Sequence, residues 1–133
     1  MGDNLTEKLE VWKCDICGNI VEVLHAGVGQ LVCCGQDMNL MEAKTKDAGN
    51  EKHVPVVEIQ KGGTIIRVGE IPHPMEDKHH IEWVELMVDD RVHRQFLTPG
   101  EKPEAVFDID VSGKTFVVRE FCNIHGLWET HKK

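Results

Sequence analysis

The chain has 133 residues, 41% of them hydrophobic and 29% charged, enough for one ordinary domain or two small ones and too apolar for a disordered tail. Its 15 Lys and Arg against 23 Asp and Glu leave a formal net charge of −8, which argues against a binder of phosphate backbones, and no basic stripe offsets it. No apolar run is long enough to span a bilayer or form the core of a signal peptide, and the start, Met1-Gly2-Asp3-Asn4, is polar, so the expected setting is cytoplasmic, without membrane or nucleic-acid partners.

Four of the five cysteines, Cys14, Cys17, Cys33 and Cys34, fall in the first third, and Cys122 stands alone near the end. An odd number would leave one thiol over in a pure disulfide framework, and a reducing compartment disfavours disulfides, so metal ligation is the leading reading. Eight histidines strengthen it, because imidazole and thiolate are the donors that borderline and soft metals prefer. Between the two cysteine groups, Glu42 to Lys52 is polar, with one glycine and no large apolar residue, in the manner of an inter-domain segment. The expected organisation is two domains, 1–42 and 43–133.

The first module, at about 40 residues, is too small for a hydrophobic core to suffice and needs a staple. Its apolar stretches, Ile20–Leu24 and Gln30–Val32, are short, rich in β-branched residues and separated by Gly27 and Gly29, which predicts a small β-hairpin arrangement. Cys14-Asp15-Ile16-Cys17-Gly18 is a C-x2-C knuckle that aims two thiolates at one point, with Gly18 letting the chain bend back. Cys33 and Cys34 complete a set of four. Neighbours in an extended strand point to opposite faces, so both reach one metal only through a local kink, which Gly35 eases. Four thiolates serve zinc or a single iron equally, and the spacing leaves both a structural zinc knuckle and a distorted iron centre open.

The second module carries repeated strand signals without helical periodicity: Val54 to Ile59, Thr64 to Val68, Ile81 to Val88, Arg91 to Leu97, Ala105 to Val111 and Thr115 to Phe121. Ala105, Phe107, Ile109 and Val111 alternate with Glu104, Asp108 and Asp110, the period of a half-buried strand, although Val106 breaks the polar side. Lys61-Gly62-Gly63, Asp89-Asp90 and Ser112-Gly113 read as turns. Six or seven strands at this spacing predict an antiparallel β-sandwich of the immunoglobulin-like kind, so the fold class expected for the whole chain is all-β.

Cys122-Asn123-Ile124-His125 offers a thiolate and an imidazole at C-x2-H spacing, and His53, His73 and His79 stand at strand edges beside prolines or charges. The prolines flanking His73 stiffen its loop and lower the entropy lost in holding a ligand. Four histidines and one cysteine exceed the four ligands of a closed zinc site and leave one octahedral position open. That set suits ferrous iron that binds a small molecule, with the thiolate pushing electron density toward it. His25, His80, His93 and His131 are read as non-ligands.

Taken in order, Trp12-Lys13-Cys14-x2-Cys17-Gly18-Asn19-Ile20-Val21-Glu22-Val23, Leu31-Val32-Cys33-Cys34-Gly35, Glu51-Lys52-His53-Val54-Pro55, Pro72-His73-Pro74-Met75, Lys78-His79-x-Ile81-Glu82-Trp83 and Glu120-Phe121-Cys122-Asn123-Ile124-His125-Gly126 cover nearly the whole chain. Together they resemble the desulfoferrodoxins, the two-iron superoxide reductases. The resemblance implies a desulforedoxin-like domain with iron on Cys14, Cys17, Cys33 and Cys34, followed by a sandwich with a catalytic iron, His53, His73, His79 and His125 equatorial and Cys122 axial. It also implies one-electron reduction of superoxide to hydrogen peroxide without release of dioxygen, in defence against oxidative stress. A rubredoxin-like electron donor and a homodimer are implied as well. In the family a glutamate at the place of Glu51 can take the sixth position of the oxidised iron, and a lysine at the place of Lys52 lies near it; without the resemblance, Glu51-Lys52 reads as a solvated charge pair. One departure is His80, where the family often has tyrosine. Three rival readings are a zinc ribbon fused to a sandwich with incidental histidines, an electron carrier, and a superoxide dismutase.

Overall fold

The structure is a computed structural model that describes residues 4–46 and 53–132. The chain divides into two compact units, Met1–Glu42 and Ala43–Lys133, and there is no helix among the described residues.

In the first unit β1 (Val11–Lys13), β2 (Ile20–Glu22) and β5 (Asn39–Met41) form a three-stranded antiparallel sheet with β1 in the middle, and β3 (Val32–Cys33) pairs with β4 (Gln36–Asp37). Its buried side chains among the described residues are Thr6, Val11, Cys14, Val23 and Met38, a core too small to hold the unit by apolar burial alone. Ile20–Glu22 does not form a hairpin with Gln30–Val32 as the sequence suggests. It pairs with Val11–Lys13, with Trp12 opposite Val21, because the cysteine knuckle turns the chain straight back. Gly18 N–H donates to the Cys14 carbonyl at 2.9 Å and Cys14 N–H to the Asn19 carbonyl at 2.9 Å. Gly18 has φ 83°, a value at which any side chain is strained.

The second unit has β6 (Pro55–Gln60), β7 (Gly63–Val68), β8 (Ile81–Val88), β9 (Arg91–Phe96), β10 (Glu104–Phe107), β11 (Phe116–Cys122) and β12 (Gly126–Lys132). They make two antiparallel sheets, in the orders β10-β7-β6 and β12-β11-β8-β9. Ile66, Val68, Ala105 and Phe107 from the first meet Val84, Leu86 and Val118 from the second in one buried cluster, the face-to-face packing of a sandwich. The alternation from Ala105 to Val111 correctly marks the buried face, yet the strand ends at Phe107. Its ladder partner runs out there: Phe107 lies opposite Thr64, one residue from the start of β7. Ile109 and Val111 still pack on the core, and the Asp110 carboxylate accepts from Ser112 N–H at 2.9 Å to turn the chain. Gly126–Lys132, beyond the last strand signal in the sequence, is the edge strand β12, so His131 stands in a ladder opposite Val117.

On the face of the four-stranded sheet turned from this core, Glu85 is 1% exposed. It accepts from Trp83 Nε1 at 2.6 Å and from Arg119 Nη2 at 2.9 Å, with Arg94 Nη2 at 3.4 Å. Glu85 and Arg119 are direct cross-strand partners on β8 and β11. At the end of this pair of strands the register shifts, so that Phe121 faces Trp83 and Cys122 faces Ile81. Glu82 is the extra residue. A bulge of this kind re-aims the side chains beyond it, and here it leaves Cys122 and Ile81 both fully buried at the end of the sandwich.

Candidate metal centres

In the first unit Cys14, Cys17, Cys33 and Cys34 present sulfurs that all lie within 4.8 Å of one another, and all five cysteines of the chain are free of disulfides. The kink that a vicinal pair requires sits at Cys34 itself, with φ 53°, followed by Gly35 at φ 78°. Two successive left-handed residues make the tight turn between β3 and β4 whose twist suits the flanking strands. Cys17 and Cys33 sulfurs are 3.6 Å apart and those of Cys33 and Cys34 3.9 Å. Cys17 N–H donates to the Cys14 sulfur at 3.5 Å and Asn19 N–H to the Cys17 sulfur at 3.5 Å, amide bonds that stabilise thiolates. The first of these brings the pKa of Cys14 down to about 7. Cys33 moves the other way, up to about 12, chiefly through its contact with the Cys17 sulfur, since thiolates this close repel one another unless a cation joins them. Cys14 is buried while Cys17 and Cys34 are exposed.

In the second unit His53, His73, His79, Cys122 and His125 offer four nitrogens and one sulfur within 4.8 Å of one another. His53 immediately precedes the segment leading into β6, His73 and His79 lie in the connection between β7 and β8, and Cys122 and His125 bracket the turn between β11 and β12. His73 is 2% exposed. Its Nδ1 donates to the Pro74 carbonyl at 2.7 Å, which fixes the tautomer and leaves Nε2 bare. Burial holds its pKa down to about 4, so it is neutral near pH 7 and free to donate a lone pair. The Nε2 atoms of His73 and His79 are buried without a hydrogen-bond partner, an arrangement that is costly unless something binds there. His53 Nε2 lies 3.0 Å from His125 Nδ1, and the Cys122 sulfur 3.8 Å from the same nitrogen. His125 N–H donates to that sulfur at 3.4 Å, although burial dominates and raises the Cys122 pKa. His125 is the exposed member of the cluster, so the site reaches the surface there. Both donor sets fit metal ions: four sulfurs for a closed tetrahedral site, and a five-donor set that leaves an octahedral ion one position for a ligand.

A family model for desulfoferrodoxin matches residues 45–131, and one for the desulfoferrodoxin N-terminal domain matches residues 6–41. The chain belongs to the desulfoferrodoxin family. The desulfoferrodoxin of Syntrophotalea carbinolica is 56% identical over 95% of this chain and 98% of its own length. The solved superoxide reductase of Treponema pallidum superposes with a TM-score of 0.75 at 26% identity, over 92% of this chain and 98% of that one. The superoxide reductase of Nanoarchaeum equitans matches 68% of this chain and 98% of its own, with a TM-score of 0.57 and 32% identity. Family and fold together place this desulfoferrodoxin among the superoxide reductases.

The four histidines read as non-ligands stand outside both clusters. His80 Nδ1 donates to the Glu76 carbonyl at 3.1 Å, His93 faces the Phe107 ring, and His131 pairs with Glu129. Glu51 and Lys52 lie outside the described residues. Two contributors to the site are not visible as such in the sequence. Trp128 stacks on His53 at 4.7 Å and 17°, and Lys44, expected in a solvated linker, is fastened to β12. Lys44 N–H donates to the Leu127 carbonyl at 2.9 Å and its own carbonyl accepts from Glu129 N–H at 2.9 Å. Its ammonium donates to the His125 carbonyl at 3.1 Å and sits 5.1 Å over the Trp128 ring. A lysine placed among polar residues gives no sign of such a contact; the Gly126-Leu127-Trp128 run, apolar just after a candidate ligand, is the signal that could have pointed to the strand receiving it.

Proposed function

We propose that this desulfoferrodoxin reduces superoxide to hydrogen peroxide at a ferrous ion held by His53, His73, His79, His125 and Cys122. Residues 43–133 form the catalytic domain, and residues 1–42 hold a second iron on Cys14, Cys17, Cys33 and Cys34. The observation that carries this reading is the five-donor cluster with two bare, buried imidazole nitrogens. Ferrous iron held there would supply the one electron that, with two protons, converts superoxide to hydrogen peroxide without release of dioxygen.

The chain's own residues prepare that chemistry. The Pro74 carbonyl accepts a hydrogen bond from His73 Nδ1–H and so turns the Nε2 lone pair of His73 inward. Trp128 holds the His53 ring by stacking. The His125 amide stabilises the Cys122 thiolate inside a wall that would otherwise favour the thiol. Five ligand thiolates balance one ferric and one ferrous ion, so the loaded chain keeps its formal charge of −8. An anionic substrate therefore needs a local cation, the role we assign to Lys52. On the strength of the family we also assign Glu51 a part in the oxidised site, a rubredoxin-like donor the return of the electron, and a cytoplasmic homodimer as the working form.

Anaerobic metal quantitation followed by stopped-flow oxidation with superoxide tests this reading. The expected result is two irons per chain, rapid oxidation of the histidine-ligated one, and one hydrogen peroxide for each superoxide with no dioxygen. Zinc as the sole metal would overturn the reading in favour of a binding module, and dioxygen release in favour of a dismutase. Cys122→Ser should abolish the reaction and the visible thiolate-to-iron band of the histidine-ligated centre, leaving the bands of the four-cysteine site in place.

A further inference from the structure

We infer that Asn123 is a positioning residue that locks the His79 loop onto the Cys122 turn and so sets the ligand geometry of the second centre; the inference rests on the metal site proposed above. Asn123 lies between two of the assigned ligands and is itself too polar to join the core, and the site chemistry gives it no part. Yet it makes three hydrogen bonds to one distant loop. Its Oδ1 accepts from His80 N–H at 2.9 Å, its Nδ2 donates to the Lys78 carbonyl at 3.0 Å, and its own N–H donates to the His80 carbonyl at 3.2 Å.

Those contacts fall on the residues either side of His79. Within its own loop His79 is held by a small turn, Glu76 N–H donating to its carbonyl at 2.9 Å and its N–H to the Glu76 carbonyl at 3.1 Å. This turn shapes the loop but says nothing of where the loop stands relative to Cys122. The His79 Nε2 is buried without a hydrogen-bond partner, so where it stands relative to Cys122 depends largely on the backbone that carries the ring. Asn123 supplies the missing constraint, since its side chain fixes residues 78 and 80 while its backbone is continuous with Cys122.

The requirement is specific to a carboxamide of this length. One loop group is a donor and the other an acceptor, so the side chain must present an acceptor and a donor together. Aspartate keeps the bond to His80 N–H but sets an acceptor against the Lys78 carbonyl. Alanine loses both side-chain bonds, leaving only the backbone one.

Anaerobic cobalt(II) titration of the full chain tests this, with the four-cysteine site serving as an internal control in the same molecule. Partners that orient metal ligands from behind are worth about 10–100-fold in affinity. We expect about tenfold weaker cobalt binding at the histidine site for Asn123→Asp and about a hundredfold for Asn123→Ala, with a shifted thiolate band. The four-cysteine site and the far-ultraviolet circular dichroism should stay unchanged. If Asn123→Ala fails to fold, Asn123→Asp decides alone. Wild-type affinity and an unshifted band in Asn123→Asp, or an equal loss at both metal sites, would overturn the inference. Failure of the wild-type chain to bind cobalt at a second, histidine-rich site would instead overturn the proposed site on which it rests.

Discussion

Replacing Arg119 with methionine tests how the sheet that carries Cys122 is held. Arg119 Nη2 is 2.9 Å from Glu85 Oε2, with side-chain exposures of 8% and 1%. Methionine keeps most of the volume but leaves Glu85 with the Trp83 N–H at 2.6 Å and Arg94 at 3.4 Å, the latter 29% exposed. Removing one partner of a buried ion pair costs about 3–5 kcal/mol, because the remaining charge stays desolvated. Arg94 gives partial compensation, which places the expected loss near the lower bound, about 3 kcal/mol. The double variant Glu85→Met/Arg119→Met removes the stranded charge as well. It should lie only about 1–2 kcal/mol below the parent, the remainder reflecting the Trp83 N–H that loses its acceptor. Urea unfolding of the metal-loaded chain in a Trp12→Phe background reads this from the indoles of Trp83 and Trp128, both in the sandwich. A loss under about 1 kcal/mol for Arg119→Met, or a double variant no more stable than the single one, would refute the reasoning.

Three further outcomes are expected. Lys52→Ala should slow the second-order reaction with superoxide at low ionic strength, with the gap closing as salt rises; equal rates at low salt would remove the steering role. Anaerobic stripping of the four-cysteine site should melt residues 4–42 while the sandwich amides stay protected from hydrogen exchange, because the first unit's few buried side chains cannot hold it without its staple. Glu101 accepts from both the N–H and the hydroxyl of Thr98, which lowers its carboxyl pKa. A lowered folded pKa stabilises the native state above the carboxylate's ordinary value, and that contribution disappears as pH falls through the lowered one. Glu101→Gln should therefore differ from the parent in thermal stability at neutral pH and converge with it in acid; a difference that persists in acid would refute the link.

Much of the fold can be read directly from the chain because strands buried on one face alternate, and turns such as Asp89-Asp90 carry their own chemistry. The nine candidate ligands are legible for a different reason. The thiol pair Cys14/Cys17 and the thiol-imidazole pair Cys122/His125, both at knuckle spacing, have few other uses in a chain this small, and the remaining five join them through the ordered motifs of the family. The shortfalls share a cause. Whether Ile20–Glu22 pairs forward or back depends on a turn closed by hydrogen bonds at Cys14, and where β10 stops depends on where its neighbour stops. Lys44 and Asn123 act through contacts with residues that the fold alone brings near, 81 and 43 positions away, so their composition and immediate neighbours carry no trace of them.

The turn at Asp89-Asp90 places two non-glycine residues at φ 54° and 59°, with the Asp89 carboxylate paired to Lys114 at 2.5 Å. It joins β8 to β9 at the end of the four-stranded sheet opposite the Cys122 turn. The sandwich therefore has a reactive pole and a quiet one. A tether to an electrode or a dye attached at the quiet pole would hold the sandwich by a short hairpin, with the loops that carry its histidine and cysteine cluster at the far end from the support. Electrons could then be delivered and counted on an oriented layer in which the ligand set stays as the sequence made it.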